Sequence, residues 1–183
     1  SDITAGSLRV AKCSNAACTG PVAIHTVDDP ANIVGGYNAI AIGGDDLPII
    51  SYRDSTANAL KVAKCVDPAC AGPATITTVD DPVNSVGEYT DIAVGAGPPV
   101  ISYYDATAGA LKVAACTNPA CSGAAIIITL DDPANDVGIT TSVAIGIDAR
   151  PVISYHDATA QALKVAKCVN INCVGPVVIT TVD

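Results

Sequence analysis

Eight cysteines fall into four Cys-x4-Cys pairs, Cys13/Cys18, Cys65/Cys70, Cys116/Cys121 and Cys168/Cys173. Thiols this close can bridge or bind metal. Each pair brackets a turn such as Asn-Pro-Ala, and its two cysteines are expected to face each other across a hairpin. A disulfide needs Cα atoms about 4.4–6.8 Å apart, which hairpin partners satisfy. Closing so short a loop contributes roughly 2 kcal/mol per bridge in the chain-entropy model. A structural zinc site would have to bring two pairs together in space, and here the pairs lie in successive repeats. The expectation is four local bridges, with zinc and free thiols as the lesser alternatives. Disulfides imply an oxidising compartment, hence an extracellular or cell-surface location.

Acidic residues form the second set. Asp-Asp-Pro-x-Asn-x-Val-Gly occurs at 28–35, 80–87 and 131–138. Its Asp28, Asp29 and Asn32 recur as Asp80, Asp81, Asn84 and as Asp131, Asp132, Asn135. Oxygen ligands on flexible loops suit calcium. Asp and Asn ahead of a turn also satisfy local backbone N–H groups, and the proline directly after each Asp pair favours that reading. No other metal or cofactor is expected. Asp2, Asp54, Asp105 and Asp157 each head an Asp-x-Thr-Ala turn, where a carboxylate can cap the following amides.

Catalysis finds little support. His25 and His156 do not recur between repeats, and the three arginines, Arg9, Arg53 and Arg150, read as solvated surface charges. A Ser-His-Asp set cannot be assembled from spacing. A carboxylate pair of the glycosidase type would have to draw on aspartates that almost all belong to repeated turns. No polar residue stands out as unique to a site, and the chain is expected not to be an enzyme.

These residues recur because the chain repeats. Leu8-Arg9-Val10-Ala11-Lys12-Cys13 returns at Leu60, Leu111 and Leu163, with offsets of 52, 51 and 52 residues. Ile-Ser-Tyr-x-Asp follows the same register at 50–54, 101–105 and 153–157. The single-residue deletion falls between Gly95 and Pro99, a place for a surface hairpin loop. The sequence divides into repeats 8–59, 60–110 and 111–162 and a partial repeat 163–183, read as one repeat domain spanning 1–183. Each unit offers four short strand candidates, in the second copy 89–94, 100–104, 110–115 and 125–130, bounded by Gly, Pro, Asn or Asp.

Four antiparallel strands per 40–55 residues is the pattern of a propeller blade. The fold class expected is all-β, a β-propeller-like stack of four-stranded antiparallel blades, about 3.5 repeats long and not closed within one chain; a shorter-repeat β-solenoid is the alternative. Tyr52, Tyr103 and Tyr155 are expected to pack between blades.

Composition agrees. Half the chain is hydrophobic, yet Phe, Trp and Met are absent, leaving β-branched residues that suit pleated surfaces. Net charge is −9, and Glu88 is the only glutamate among 18 acids. That balance disfavours nucleic acid as partner. The longest apolar run, 124–130, is far short of a membrane span, so no membrane insertion is expected. If the protein is exported, its leader has been removed or lies outside this sequence.

The run Ile-Ser-Tyr-Tyr-Asp-Ala-Thr-x-Gly-x-Leu-Lys-Val-Ala at 101–114, with Thr-Val-Asp-Asp-Pro-x-Asn-x-Val-Gly-x-Tyr at 78–89, resembles tandem repeats of bacterial and archaeal extracellular proteins expected to form β-propellers. The resemblance covers the whole chain and implies a propeller-like fold outside the cell, with no defined activity. The Ser-x-x-Asp-x-Thr portion is distantly similar to the Asp-box of sialidase propellers, without its later aromatic.

Two functions follow as expectations. The first is an extracellular structural or assembly protein whose open ends pair with other copies in a ring or filament. The second is a lectin-like module for carbohydrate or another surface ligand, which repetition would favour through avidity. Four of the six tyrosines lie on one strand type, which counts against the second.

Overall fold

The structure is a computed structural model and describes residues 6–81, 83–132 and 134–183. Its elements are fourteen β-strands: β1 Leu8–Cys13, β2 Val22–Asp28, β3 Val34–Ile42, β4 Pro48–Asp54, β5 Ala59–Lys64, β6 Thr75–Asp80, β7 Val86–Ala93, β8 Val100–Asp105, β9 Ala110–Ala115, β10 Ile126–Asp131, β11 Val137–Ile145, β12 Pro151–Asp157, β13 Ala162–Lys167 and β14 Val178–Thr181. They form three antiparallel four-stranded meanders, β3–β6, β7–β10 and β11–β14, preceded by the two-stranded sheet β1–β2.

The chain is therefore a propeller-like stack of three whole blades and a half blade corresponding to the last two strands of a unit. The sequence repeats, counted from Leu8, cut across the blades. Each four-stranded sheet begins at the Val-Gly of the Asp-Asp-Pro motif, which carries the chain from one blade to the next. No helix among the described residues is long and apolar enough to cross a membrane.

Each core lies between two blades. Leu8, Val34, Ile50 and Tyr52 join the half blade to the second sheet. Leu60, Val62, Val86, Ile92, Ile101 and Tyr103 join the second and third. Leu111, Val113, Val137, Val143, Ile153 and Tyr155 join the third and fourth. Burying one such side chain stabilises by about 1.5–3 kcal/mol. A single sheet has nothing to bury against until its neighbour is present.

The first strand of each blade departs from the sequence expectation. The pattern starts it at Tyr89, because Gly87 reads as a turn residue; β7 in fact begins at Val86 and passes through two register shifts against β8. The same shifts occur in β3 and β11. Gly35, Gly87 and Gly138 take positive φ of 85°, 86° and 97°. They let this strand approach the preceding blade closely. A Cβ on Gly138 would lie 2.7 Å from the Cα of Leu111, too near for any other residue. The distortion bulges the strand, and bulges re-aim side chains. Tyr37, Tyr89 and Thr140, at the equivalent position of each blade, sit at left-handed φ of 49°, 50° and 51°.

Candidate functional site

The four cysteine pairs are bridged, with Cα separations of 5.0, 5.0, 5.0 and 4.8 Å. The first cysteine of these pairs directly follows its strand and continues the pairing by one bond: the Cys65, Cys116 and Cys168 amides donate to the carbonyls of Pro48, Pro99 and Pro151. The second does not, and here the sequence expectation is corrected. Cys70, Cys121 and Cys173 do not face their partners as cross-strand neighbours of a hairpin, because the next strand starts only at Thr75, Ile126 and Val178. They lie inside the connection. The Cys70, Cys121 and Cys173 amides donate to the carbonyls of Asp67, Asn118 and Asn170, three residues back. Their φ values are left-handed, at 52°, 52° and 55°. The chain thus folds back on itself within one turn, and this local fold-back, not strand pairing, sets the bridging distance. It also takes Cys70, Cys121 and Cys173 out of solvent, at 1%, 0% and 0% exposed. Cys18 has the same turn and φ in the half blade but is exposed.

Two residues after the first cysteine stands an Asn or Asp in every copy. Asp67 accepts from the amides of Ala69, Ala71 and Gly72, which hold its carboxyl below the usual range. Asn118 accepts in the same way from Ala120 and Ser122. This cap escaped the sequence reading, although its spacing from the cysteine never changes.

The repeated acids form one network per blade junction. Tyr52, Tyr103 and Tyr155 are buried, and their phenols donate to the carboxylates of Asp28, Asp80 and Asp131 at 2.6, 2.6 and 2.7 Å. Each bond runs from the second strand of one blade to the last strand of the blade before. Burial first, and the facing carboxylate second, push the Tyr52 and Tyr155 phenols far above their ordinary value. For Tyr103 the order is the same, with Asp80 the facing charge.

The turn aspartates sit beside this bond. Oδ1 of Asp54 accepts from the Thr56 and Ala57 amides, Oδ1 of Asp105 from Thr107 and Ala108, and Oδ1 of Asp157 from Ala160. The other oxygen faces Asn32, Asn84 and Asn135 respectively and Lys61, Lys112 and Lys164. Lys112 and Lys164 also reach back to Asp80 and Asp131. For Asp54, burial pushes the carboxyl up, but the Ala57 amide, Lys61 and Asn32 outweigh it and leave it lowered. Lys164 and the Ala160 amide lower Asp157, and Asp157 in turn raises Lys164. Asp2 lies outside the described residues.

This arrangement bears on calcium. Asp28, Asp80 and Asp131 accept hydrogen bonds from the tyrosine phenols, and Asn32, Asn84 and Asn135 donate to the turn aspartates, while Asp29, Asp81 and Asp132 are exposed. Among the described residues no three His, Cys, Asp or Glu side chains gather as a metal site.

A second cluster corrects two sequence expectations. Arg53 is not a solvated surface charge but 8% exposed. Its guanidinium pairs with Glu88 and donates to Asn58 and Ser85, both at 2.8 Å. Burial lowers its pKa, against the opposing pull of Tyr37. Nor are site-like unique residues missing. Tyr104, the counterpart of Arg53 one blade on, donates at 2.6 Å to Asp136. The ring of Tyr89 lies 4.8 Å from that of Tyr37 and 6.2 Å from that of Tyr104. An open cleft of about 400 Å³ adjoins, lined by Tyr104, Asp136, Asn135 and the 106–109 turn.

Arg53, Tyr104, Ser85, Asp136, Glu88, Tyr37 and Tyr89 occupy variable positions of otherwise constant motifs: x of Ile-Ser-Tyr-x-Asp, the second x of Asp-Asp-Pro-x-Asn-x, or the two residues after Val-Gly. The signal available in the sequence was the sole glutamate falling at such a position. His156, the third counterpart of Arg53, lies half-buried on β12, and His25 lies on β2 in the half blade, so the two histidines belong to different blades.

No family model and no curated protein matches the chain. Among solved structures, the chain is similar to a bifunctional GH43-CE protein of Bacteroides eggerthii, with a TM-score of 0.53 and 12% identity. The match covers 87% of this chain and 21% of that one. The chain thus spans about a fifth of that protein's length, and the likeness is one of fold.

Proposed function

We propose that this chain is a non-enzymatic extracellular structural protein that stacks blade on blade and whose two open faces are covered by other copies of itself. One comparison within the molecule carries the reading. Leu60 and Leu111 are 0% exposed beneath the next blade, whereas their counterpart Leu163 in the last blade is 45% exposed. At the other end Ile40 is 55% exposed, while its counterparts Ile92 and Val143 are 5% and 7% exposed beneath the preceding blade. Leu163 lies on the open outer face of the last blade, and Ile40 lies on the part of the β3–β6 face that the two-stranded half blade leaves uncovered; both belong to the interface the chain forms between its own blades. A second copy brought head to tail meets the same chemistry, and whether the contact closes a ring or extends a filament depends on the rotation it imposes.

The bridged cysteines support an oxidising, extracellular setting. The use of the repeated carboxylates as turn caps and interblade acceptors supports a structural rather than a catalytic role. Sedimentation of the oxidised chain tests the proposal. Species heavier than the 18.2 kDa monomer that rise with concentration, and are lost in Leu163→Lys, support it. A strict monomer at high concentration refutes it.

A further inference from the structure

We propose that the tyrosine row Tyr37–Tyr89–Tyr104, with the cleft beside Tyr104, is a binding site for a neutral saccharide chain. It does not depend on association of the end faces. A pyranose ring presents an apolar C–H face and a polar edge of hydroxyls. A tyrosine matches both, with an apolar ring and a polar tip. Tyr37, 45% exposed, and the half-buried Tyr89 stand at the surface with ring centroids 4.8 Å apart and planes tilted by 58°, while Tyr104 beside them is 8% exposed. The bulge that holds both at left-handed φ is common to all three blades, but only these two carry an aromatic there; the fold supplies the perch and the sequence varies what stands on it.

The electrostatics select against an anionic ligand. Glu88 is neutralised by Arg53, and Asp136 takes the Tyr104 phenol. An anionic ligand would face two carboxylates on a chain of net charge −9. What the pair offers instead is hydroxyl recognition: one oxygen of each carboxylate is held in place by its partner, and the other oxygen is the acceptor we assign to sugar O–H groups. The cleft is open at its side and lined by Tyr104 but not by Tyr37 or Tyr89; the saccharide we assign runs from these two rings to its mouth.

The chain has no tryptophan and six tyrosines, so its intrinsic fluorescence reports the rings directly. The oxidised protein is titrated with the hexasaccharides of cellulose, xylan, mannan and chitin. Saturable binding of at least one is expected, weakened about tenfold or more in Tyr37→Asn and in Tyr89→Asn. Asparagine tolerates left-handed φ, so the ring is lost without added backbone strain. Tyr37→Phe, which keeps the stacking face, should bind as the parent does. Leu163→Lys, which opposes end-face association, should also bind unchanged. Failure of all four sugars to saturate by about 10 mM, or equal affinity in Tyr37→Asn, overturns the assignment. If Tyr89→Asn loses its circular dichroism, the more exposed Tyr37→Asn decides alone.

Discussion

The phenol of Tyr103 donates a 2.6 Å hydrogen bond to Oδ2 of Asp80, a residue of the preceding blade. Lys112 stands 3.0 Å from the same oxygen and 5.8 Å over the tyrosine ring, so the bond joins two sheets at a point where both sides are buried. Tyr103→Phe keeps the ring and removes the donor. We expect a loss of about 1–2 kcal/mol, since Lys112 still partners the carboxylate. Tyr103→Ala should cost about 3–5 kcal/mol by opening the junction. Denaturant midpoints at constant m-value measure both. A Phe variant as stable as the parent would show that the bond contributes nothing net.

The same network fixes the pH range of stability. The Asp54 and Asp157 carboxyls are lowered in the folded chain. A lowered carboxyl stabilises above its unfolded value of about 3.9, and the gain is lost as pH falls through the folded value. The buried phenols of Tyr52, Tyr103 and Tyr155 are raised. They stabilise fully below about pH 10 and lose that contribution as pH climbs from there toward the folded values. The melting temperature should therefore be flat between about pH 5 and 9 and fall on both sides. Phenolate absorbance gives the sharper check, because the buried tyrosines should ionise only as the chain unfolds. All six tyrosines titrating together near pH 10 in a folded chain would contradict this.

Much of this was legible in the sequence, for a physical reason. A repeat that cannot bury its own faces must stack, so the period with four strand candidates per unit points to blades, and the Cys-x4-Cys spacing points to local bridges. The turn role of Asp54, Asp105 and Asp157 follows from side-chain reach over two or three residues. The packing of Tyr52, Tyr103 and Tyr155 between blades was legible; what could not be read was which polar partners meet across the junctions. The partner of Tyr103 lies 23 residues away and that of Arg53 lies 35 away, distances set by how blades are juxtaposed. The start of β7 was misjudged because a left-handed glycine looks the same in sequence whether it ends a strand or bulges one. The setting of Cys70, Cys121 and Cys173 was misjudged for a related reason: a four-residue spacing fits a hairpin and a folded-back turn equally well, and only the left-handed φ of the second cysteine tells them apart.

Reduction should proceed in a fixed order. Cys65/Cys70, Cys116/Cys121 and Cys168/Cys173 are buried, whereas Cys18 of the first pair is exposed. A mild dithiol should open Cys13–Cys18 first, because thiolate attack needs access to the sulfur. The other three should open only as their blades come apart, with roughly 2 kcal/mol lost per bridge. Timed alkylation and peptide mass mapping give the order. Simultaneous labelling of all eight cysteines would mean that the burial of the last three offers no protection.

The end faces can be tested against the interior by one substitution at two equivalent places. Ile40 and Ile92 hold the same position in successive blades, but one is 55% exposed and the other 5%. Ile92→Lys buries a charge with nothing in the local apolar cluster to pair it, which costs several kcal/mol, on the order of the chain's whole stability. Ile40→Lys places the same charge in solvent and should change the stability of the single chain by less than about 0.5 kcal/mol. If Ile40 is instead covered by another copy, its substitution should leave a well-folded chain that no longer self-associates. Thermal unfolding at low protein concentration and sedimentation at high concentration read the two effects separately. Equal destabilisation at both positions in the dilute chain would mean that Ile40 is covered within the single molecule and that its face is not open.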